Sequence, residues 1–166
     1  MQTWTLRPPQ PGDIGWVIER HGTLYAAEYG FGPPFEAEVA GIAAAYLAHH
    51  DPARECCWIA ARGDQRLGSA FVVRQSDETA KLRLVIVDPA ARGLGIGKAL
   101  VRSSTDFARR AGYRELSLGT HDILLAARAI YKAAGFTLRT SVNHCDYGPA
   151  MAAEAWLLDL QAMASG

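Results

Sequence analysis

The segment Leu82-Arg83-Leu84-Val85-Ile86-Val87-Asp88-Pro89-Ala90-Ala91-Arg92-Gly93-Leu94-Gly95-Ile96-Gly97-Lys98-Ala99-Leu100-Val101 decides the fold. An apolar, β-branched run stops at Asp88-Pro89, passes an arginine and three alternating glycines, and resumes with apolar residues at helical spacing. This order reads as a strand, a loop that exposes its backbone, and the first turns of a helix. Such a loop presents bare N–H groups at the positive end of a helix dipole, a place suited to phosphate or pyrophosphate. A phosphorylated ligand is expected here.

Working outward, residues 56–61, 67–74 and 80–87 are strand-like and form a meander, with residues 62–66 as one hairpin turn and Gln75-Ser76-Asp77-Glu78 as the next. Before the meander, residues 2–7 alternate as a short strand. Asp13 stands at the expected N-cap of a helix carrying Ile14, Val17, Ile18, His21, Leu24 and Tyr25, and residues 35–49 continue as a second helix. After the loop, Ile96, Leu100, Val101, Phe107 and Ala108 line one side of a helix. Leu116 and Leu118 mark a strand reached by a parallel crossover. Leu125, Ala126, Ala129, Ile130 and Ala133 form a last helix, with Gly135 placed as its left-handed cap. Strands at 136–142 and 154–160 flank a polar linker that contains His144, Tyr147, Gly148 and Pro149. The expectation is an α/β (α+β) layer protein, a mixed sheet of six or seven strands with about four helices, in one domain spanning 1–166.

Seventeen Lys plus Arg balance seventeen Asp plus Glu, so no basic field invites nucleic acid. The N-terminus lacks a basic region followed by an apolar stretch, and no apolar run reaches membrane-spanning length; a cytoplasmic location and no membrane partner are expected. Three cysteines form a poor disulfide framework. His49, His50, Cys56 and Cys57 lack the spacing of a structural zinc site, so no metal is expected.

The loop's spacing separates its candidates. A Walker A loop needs glycine at position 92 and Ser or Thr at 99, where the chain has Arg92 and Ala99. A dinucleotide fingerprint needs a third glycine at 98 or 100, where Lys98 and Leu100 stand. What fits is Arg92-x-x-Gly95-x-Gly97. With Ala127-Arg128-Ala129-Ile130-Tyr131-Lys132-Ala133-Ala134-Gly135-Phe136 further on, this resembles the GNAT superfamily of acyl-CoA-dependent N-acyltransferases, whose two motifs are Gln/Arg-x-x-Gly-x-Gly/Ala and A-x-x-L-Y-x-x-x-G-F. The segments from Gly12 to Gly30 and from Asp51 to Glu55 are similar to GNAT domains often fused behind a MarR-type winged-helix regulator. No such regulator precedes Met1, and no DNA partner follows from the likeness.

The resemblance implies a mostly antiparallel sheet with a central parallel pair, strands four and five, and an acetyl-CoA donor held by Val85, Val87, Arg92, Gly93, Gly95, Ile96, Gly97 and Lys98. Val87 would offer its N–H to the thioester carbonyl, and Tyr131 would protonate the departing thiolate. An Asn common in the family seven residues before this tyrosine is replaced by Leu124. For the base, the resemblance offers His121 and Glu28 on equal terms, with His21 and Asp88 behind them. The implied reaction is direct acetyl transfer to an amine of a small molecule or a protein, by a chain that the family's habit makes a homodimer. The rival reading is a non-catalytic acyl-CoA sensor. Tyr25, Tyr29, Phe31 and Phe35 are expected to shape the acceptor pocket; Glu28, Glu36, Glu38 and Asp122 would favour a cationic acceptor if they met in one cleft.

Overall fold

In a computed structural model describing residues 3–161, the elements run β1 (Thr5–Arg7), α1 (Asp13–Tyr29), α2 (Pro33–His49), β2 (Cys56–Arg62), β3 (Gln65–Arg74), β4 (Thr79–Val87), α3 (Ile96–Arg110), β5 (Glu115–His121), α4 (Leu125–Ala133), β6 (Thr137–His144) and β7 (Met151–Asp159). The seven strands make one sheet in the order β1-β2-β3-β4-β5-β7-β6. Only β4 and β5 run parallel; every other neighbouring pair is antiparallel. The expected mixed sheet and its central parallel pair are therefore present.

The apolar periodicities sort the helices onto two faces. Ile96, Leu100, Val101 and Ala108 of α3 pack with Tyr131 on Ala70, Val72, Ala80, Leu82, Leu116 and Leu118. Ile14 and Val17 of α1 and Ala43 and Tyr46 of α2 cover the opposite face through Cys57, Ile59 and Phe71. Each amphipathic stripe thus finds a face of the sheet to bury against.

Several boundaries differ from the sequence reading. The first strand is shorter than residues 2–7, and Gln2 lies outside the described residues. Helix α2 starts at Pro33, because prolines fit a first turn whose N–H groups have no intrahelical partner. Strands β6 and β7 are shifted or extended to Thr137–His144 and Met151–Asp159. Gly135 does take the left-handed conformation, φ 99°, just past α4.

Asp13 is not the N-cap of α1. Gly12 occupies that position, and Asp13 is the first helical residue, 1% exposed. Its carboxylate accepts from Arg7 (2.6 Å), Arg66 (2.7 Å) and the Gln10 amide (2.6 Å). Burial alone would push this carboxyl up, but the two guanidinium groups and the amide outweigh it and hold it at about 2. Asp13→Ala is expected to remove about 3 kcal/mol of unfolding free energy in urea titrations, since two cations lose their common partner; a loss under about 1 kcal/mol would contradict this pairing. Because the folded carboxyl is depressed from 3.8, its contribution is complete above that pH and is lost as pH falls toward about 2.

Candidate active site

β4 and β5 are paired only from Thr79 with Glu115 to Leu82 with Leu118, although both strands continue, to Val87 and His121. The strand pair parts because β4 carries a bulge. Its register against β3 shifts between Ser69 with Ile86 and Phe71 with Arg83, and Leu84 has φ 51°, the left-handed region that a leucine rarely adopts. The buried Ser69 hydroxyl donates to the Leu84 carbonyl at 2.8 Å and fixes the bulge. The bulge also rephases the strand. Ala80 and Leu82 face the α3 side before it, and Val85 and Val87 face that side after it.

Two cavities open at the parted strands. One, of about 390 Å³, is lined by Glu28, Val85, Val87, Arg92, Gly95, Gly97 and Lys98 among others. All eight residues assigned to the cofactor from the sequence line this one cavity. Gly93 and Gly95 have φ of 82° and 79°, and Gly95 caps α3, whose first-turn amides have no intrahelical partner. Gly97 lets α4 come close: a Cβ there would stand 2.8 Å from Ile130 Cδ1, the movable end of that side chain. Asp88 N–H pairs with the Leu67 carbonyl on β3 at 2.8 Å, so the Val87 N–H, one residue earlier, is directed to the opposite, unpaired edge. Arg92 is held by Glu28 at 2.5 Å.

The second cavity, of about 270 Å³, lies on the α1–α2 side and is lined in part by His21, Phe35, Glu38, Lys81, Arg83, His121 and Tyr147. Tyr25, Val85, Leu124, Ala127 and Tyr131 line both cavities, so the two meet there. Tyr131 is buried, which raises its pKa and keeps the phenol protonated. Leu124, where the family often has Asn, is the N-cap of α4 and makes no side-chain cap bond.

Of the four expected aromatics, Tyr25 and Phe35 line the second cavity and stack at 4.8 Å; Phe31 meets Phe35 edge-on at 4.9 Å without lining either cavity, and Tyr29 lines the first cavity instead. Tyr147, read from the sequence only as part of a linker, joins them 5.3 Å from Phe31. Its carbonyl accepts the Gly32 N–H at 2.9 Å, and its hydroxyl bonds Glu38, so the β6–β7 loop closes over the α1–α2 loop. The Tyr147-Gly148-Pro149 turn was the available signal, but its docking site is distant in sequence.

The base candidates separate in space. His121 lines the second cavity; burial and the neighbouring His144 lower its pKa, favouring the neutral imidazole. His21 lines it too, and burial lowers it to about 4 despite the Nδ1 contact of 2.7 Å to the Val17 carbonyl. Glu28 lines the first cavity instead, paired with Arg92. Asp88 bonds Arg20 at 2.7 Å and accepts the Ala90 N–H, a supporting role at the turn Pro89–Ala91. The possible anionic cleft is not assembled: Glu28 and Glu38 line different cavities, and Asp122 accepts the Ala152 N–H at 2.8 Å. Among the described residues no group of three or more His, Cys, Asp or Glu could hold a metal ion, and no helix is long and apolar enough to cross a membrane.

Two cavities thus meet where a parallel strand pair parts, one of them at the N-terminus of α3. A family model for the acetyltransferase (GNAT) family matches residues 9–136, and the chain belongs to that family. N-acetylaspartate synthetase of Danio rerio is 37% identical over 100 residues, 60% of this chain and 34% of that protein. Human N-acetyltransferase 8B is 38% identical over 86 residues, 49% of this chain and 38% of that protein. The chain thus spans little more than a third of these relatives. The fold is shared with yncA of Salmonella typhimurium, solved with its cofactor acetyl-CoA (TM-score 0.77, 20% identity, 95% of this chain and 94% of that one). It is also shared with a GCN5-related N-acetyltransferase from Kribbella flavida (TM-score 0.75, 19% identity, 94% and 97%).

Proposed function

We propose that this chain is an N-acetyltransferase that moves the acetyl group of acetyl-CoA directly to a small primary amine. The observation that carries the reading is the junction at Tyr25, Val85, Leu124, Ala127 and Tyr131, where the glycine-loop cavity and the aromatic cavity meet. Arg92, Lys98 and the amides of the glycine loop would take the pyrophosphate. The Arg92–Glu28 pair is more than half exposed on its arginine side, so it offers little resistance to a doubly charged competitor. Val85 and Val87 present the unpaired edge of β4 to the pantetheine arm, and the Val87 N–H would hold the thioester carbonyl and then the oxyanion.

The amine enters from the other cavity and must be neutral to attack. His121, kept neutral by burial and facing that cavity, would take its proton, directly or through water; Glu28, held by Arg92, is the weaker of the two candidates. Attack on the carbonyl carbon gives a tetrahedral intermediate. Its collapse breaks the carbon–sulfur bond, and Tyr131 would give its proton to the leaving thiolate. No cysteine lines either cavity, which supports direct attack over an acetylated enzyme.

Calorimetric binding of acetyl-CoA, followed by thiol release on adding an amine from a broad panel, tests the assignment; saturable binding with no amine-dependent release would favour a sensor. Protonated His121 cannot act as base, so kcat/KM is expected to fall as pH drops through its pKa, below the ordinary histidine value of 6.5. His121→Gln should lower the plateau and remove that acidic limb from the profile, and an unchanged limb would exclude His121.

Free Cys56, Cys57 and Cys145 support a reducing, cytoplasmic setting. Edge strand β6, exposed from Thr137 to Asn143 and carrying Leu138 and Val142, supports a homodimer.

A further inference from the structure

Resting on the transferase reading, we infer that the acceptor is a small anionic amine, an α-amino acid with carboxylate groups that ion-pair with Lys81 and Arg83. These two residues stand two apart on β4, before the bulge, and both line the aromatic cavity. Two positions along a strand span about 7 Å, which suits two carboxylates of one small molecule.

Arg54, Arg62, Lys98, Arg102, Arg110, Lys132 and Arg139 also lack an ion pair among the described residues, but none of them lines this cavity; what marks Lys81 and Arg83 is that they stand inside it unpaired. Among the described residues, Arg7, Arg20, Arg66, Arg74, Arg92, Arg109, Arg114 and Arg128 all pair with carboxylates. Among the described residues Lys81 and Arg83 find no ion-pair partner within 4.0 Å and no side-chain hydrogen bond, although both are partly buried. Of the carboxylates that share their cavity, Glu154 is neutralised elsewhere and Glu38 stays within it. Glu154 receives Arg128 at 2.9 and 3.1 Å and the Trp156 indole N–H at 3.2 Å. Glu38 receives the Tyr147 hydroxyl. Its field reaches Lys81, but burial and Arg83 still lower the lysine's pKa, as expected of a cation without enough opposite charge. Half-buried cations gain most from an occupant that brings its own carboxylates.

The cavity also sets size and direction. At about 270 Å³ it lies below the ~300–1,000 Å³ of sites for drug-sized ligands. Arg83 is two residues from Val85, at the junction with the glycine-loop cavity, so a carboxylate bound at Arg83 would leave the adjacent α-amine near the thioester. A polyamine or aminoglycoside would instead meet Lys81 and Arg83 with Glu38 to offset only one of them.

The test measures thiol release from acetyl-CoA with L-aspartate, L-glutamate, aspartate diamide and spermidine as acceptors. L-aspartate or L-glutamate is expected to exceed the diamide and spermidine in kcat/KM. Arg83→Gln and Lys81→Gln should each lower that value about 100-fold with the KM for acetyl-CoA unchanged, and Arg83→Lys should restore part of the loss. Arg83→Glu should shift preference toward spermidine. Far-UV circular dichroism and melting temperature establish that each variant is folded. Calorimetric titration of L-aspartate into the CoA-bound protein, and into CoA-bound Arg83→Gln, gives a readout that needs no turnover. Turnover of spermidine or the diamide as good as that of the acids, or acid turnover insensitive to both Gln variants, would overturn the anionic acceptor while leaving the transferase intact. No release with any amine, despite tight acetyl-CoA binding, would overturn the transferase reading and this inference with it.

Discussion

Tyr131→Phe is expected to lower kcat by about 100-fold, the lower end of what a positioned general acid supplies, and to leave the affinity for acetyl-CoA within about twofold. The substitution deletes one oxygen at the place where the two cavities meet and keeps the ring that packs edge-on against Phe136 at 5.9 Å. Packing, and with it stability, should change little. The phenol is buried and its pKa raised, so it contributes no alkaline limb below its ordinary value of 10. Pre-steady-state thiol release separates chemistry from product departure; a chemical rate equal to the parent's would remove Tyr131 from the reaction.

Gly95→Val is expected to weaken acetyl-CoA binding by about 100-fold or more, from backbone strain at a left-handed position combined with a side chain at a phosphate-binding turn. Gly95 sits at φ 79° as the N-cap of α3, and among the described residues no atom beyond its chain neighbours lies within 4 Å of a Cβ built there. Gly95 lines the first cavity, so the added methyl groups would enter the path of the proposed pyrophosphate and not the core. Calorimetry should register the loss while the melting temperature falls by only a few degrees. Full-strength binding by Gly95→Val would show that the pyrophosphate lies elsewhere.

Much of this site is local in sequence, which is why it could be read there. The glycine loop, its strand and its helix are contiguous, and the constraint on each glycine is a property of its own backbone. The parallel crossover follows from the order strand, helix, strand. The bulge was not legible, because the run Leu84-Val85-Ile86-Val87 is apolar on both faces and Leu84 gives no sign of a positive φ. Without the bulge, the phase of Lys81 and Arg83 relative to Val85 could not be assigned, and the charge of the proposed acceptor cavity stayed hidden. Asp13 looked like a cap since its true partners, Arg7 and Arg66, include one more than fifty residues away. Tyr147 was hidden for the same reason: its contacts with Gly32 and Glu38 join segments more than a hundred residues apart.

The central claim, direct transfer across the junction of the two cavities, is tested most directly by following a labelled acetyl group. Protein mixed with acetyl-labelled CoA and an amine that elicits thiol release should yield the labelled N-acetyl amine and an equal amount of free CoA thiol, with the intact mass of the protein unchanged. Label retained on the protein during turnover, or thiol release with no label on any amine, would contradict it.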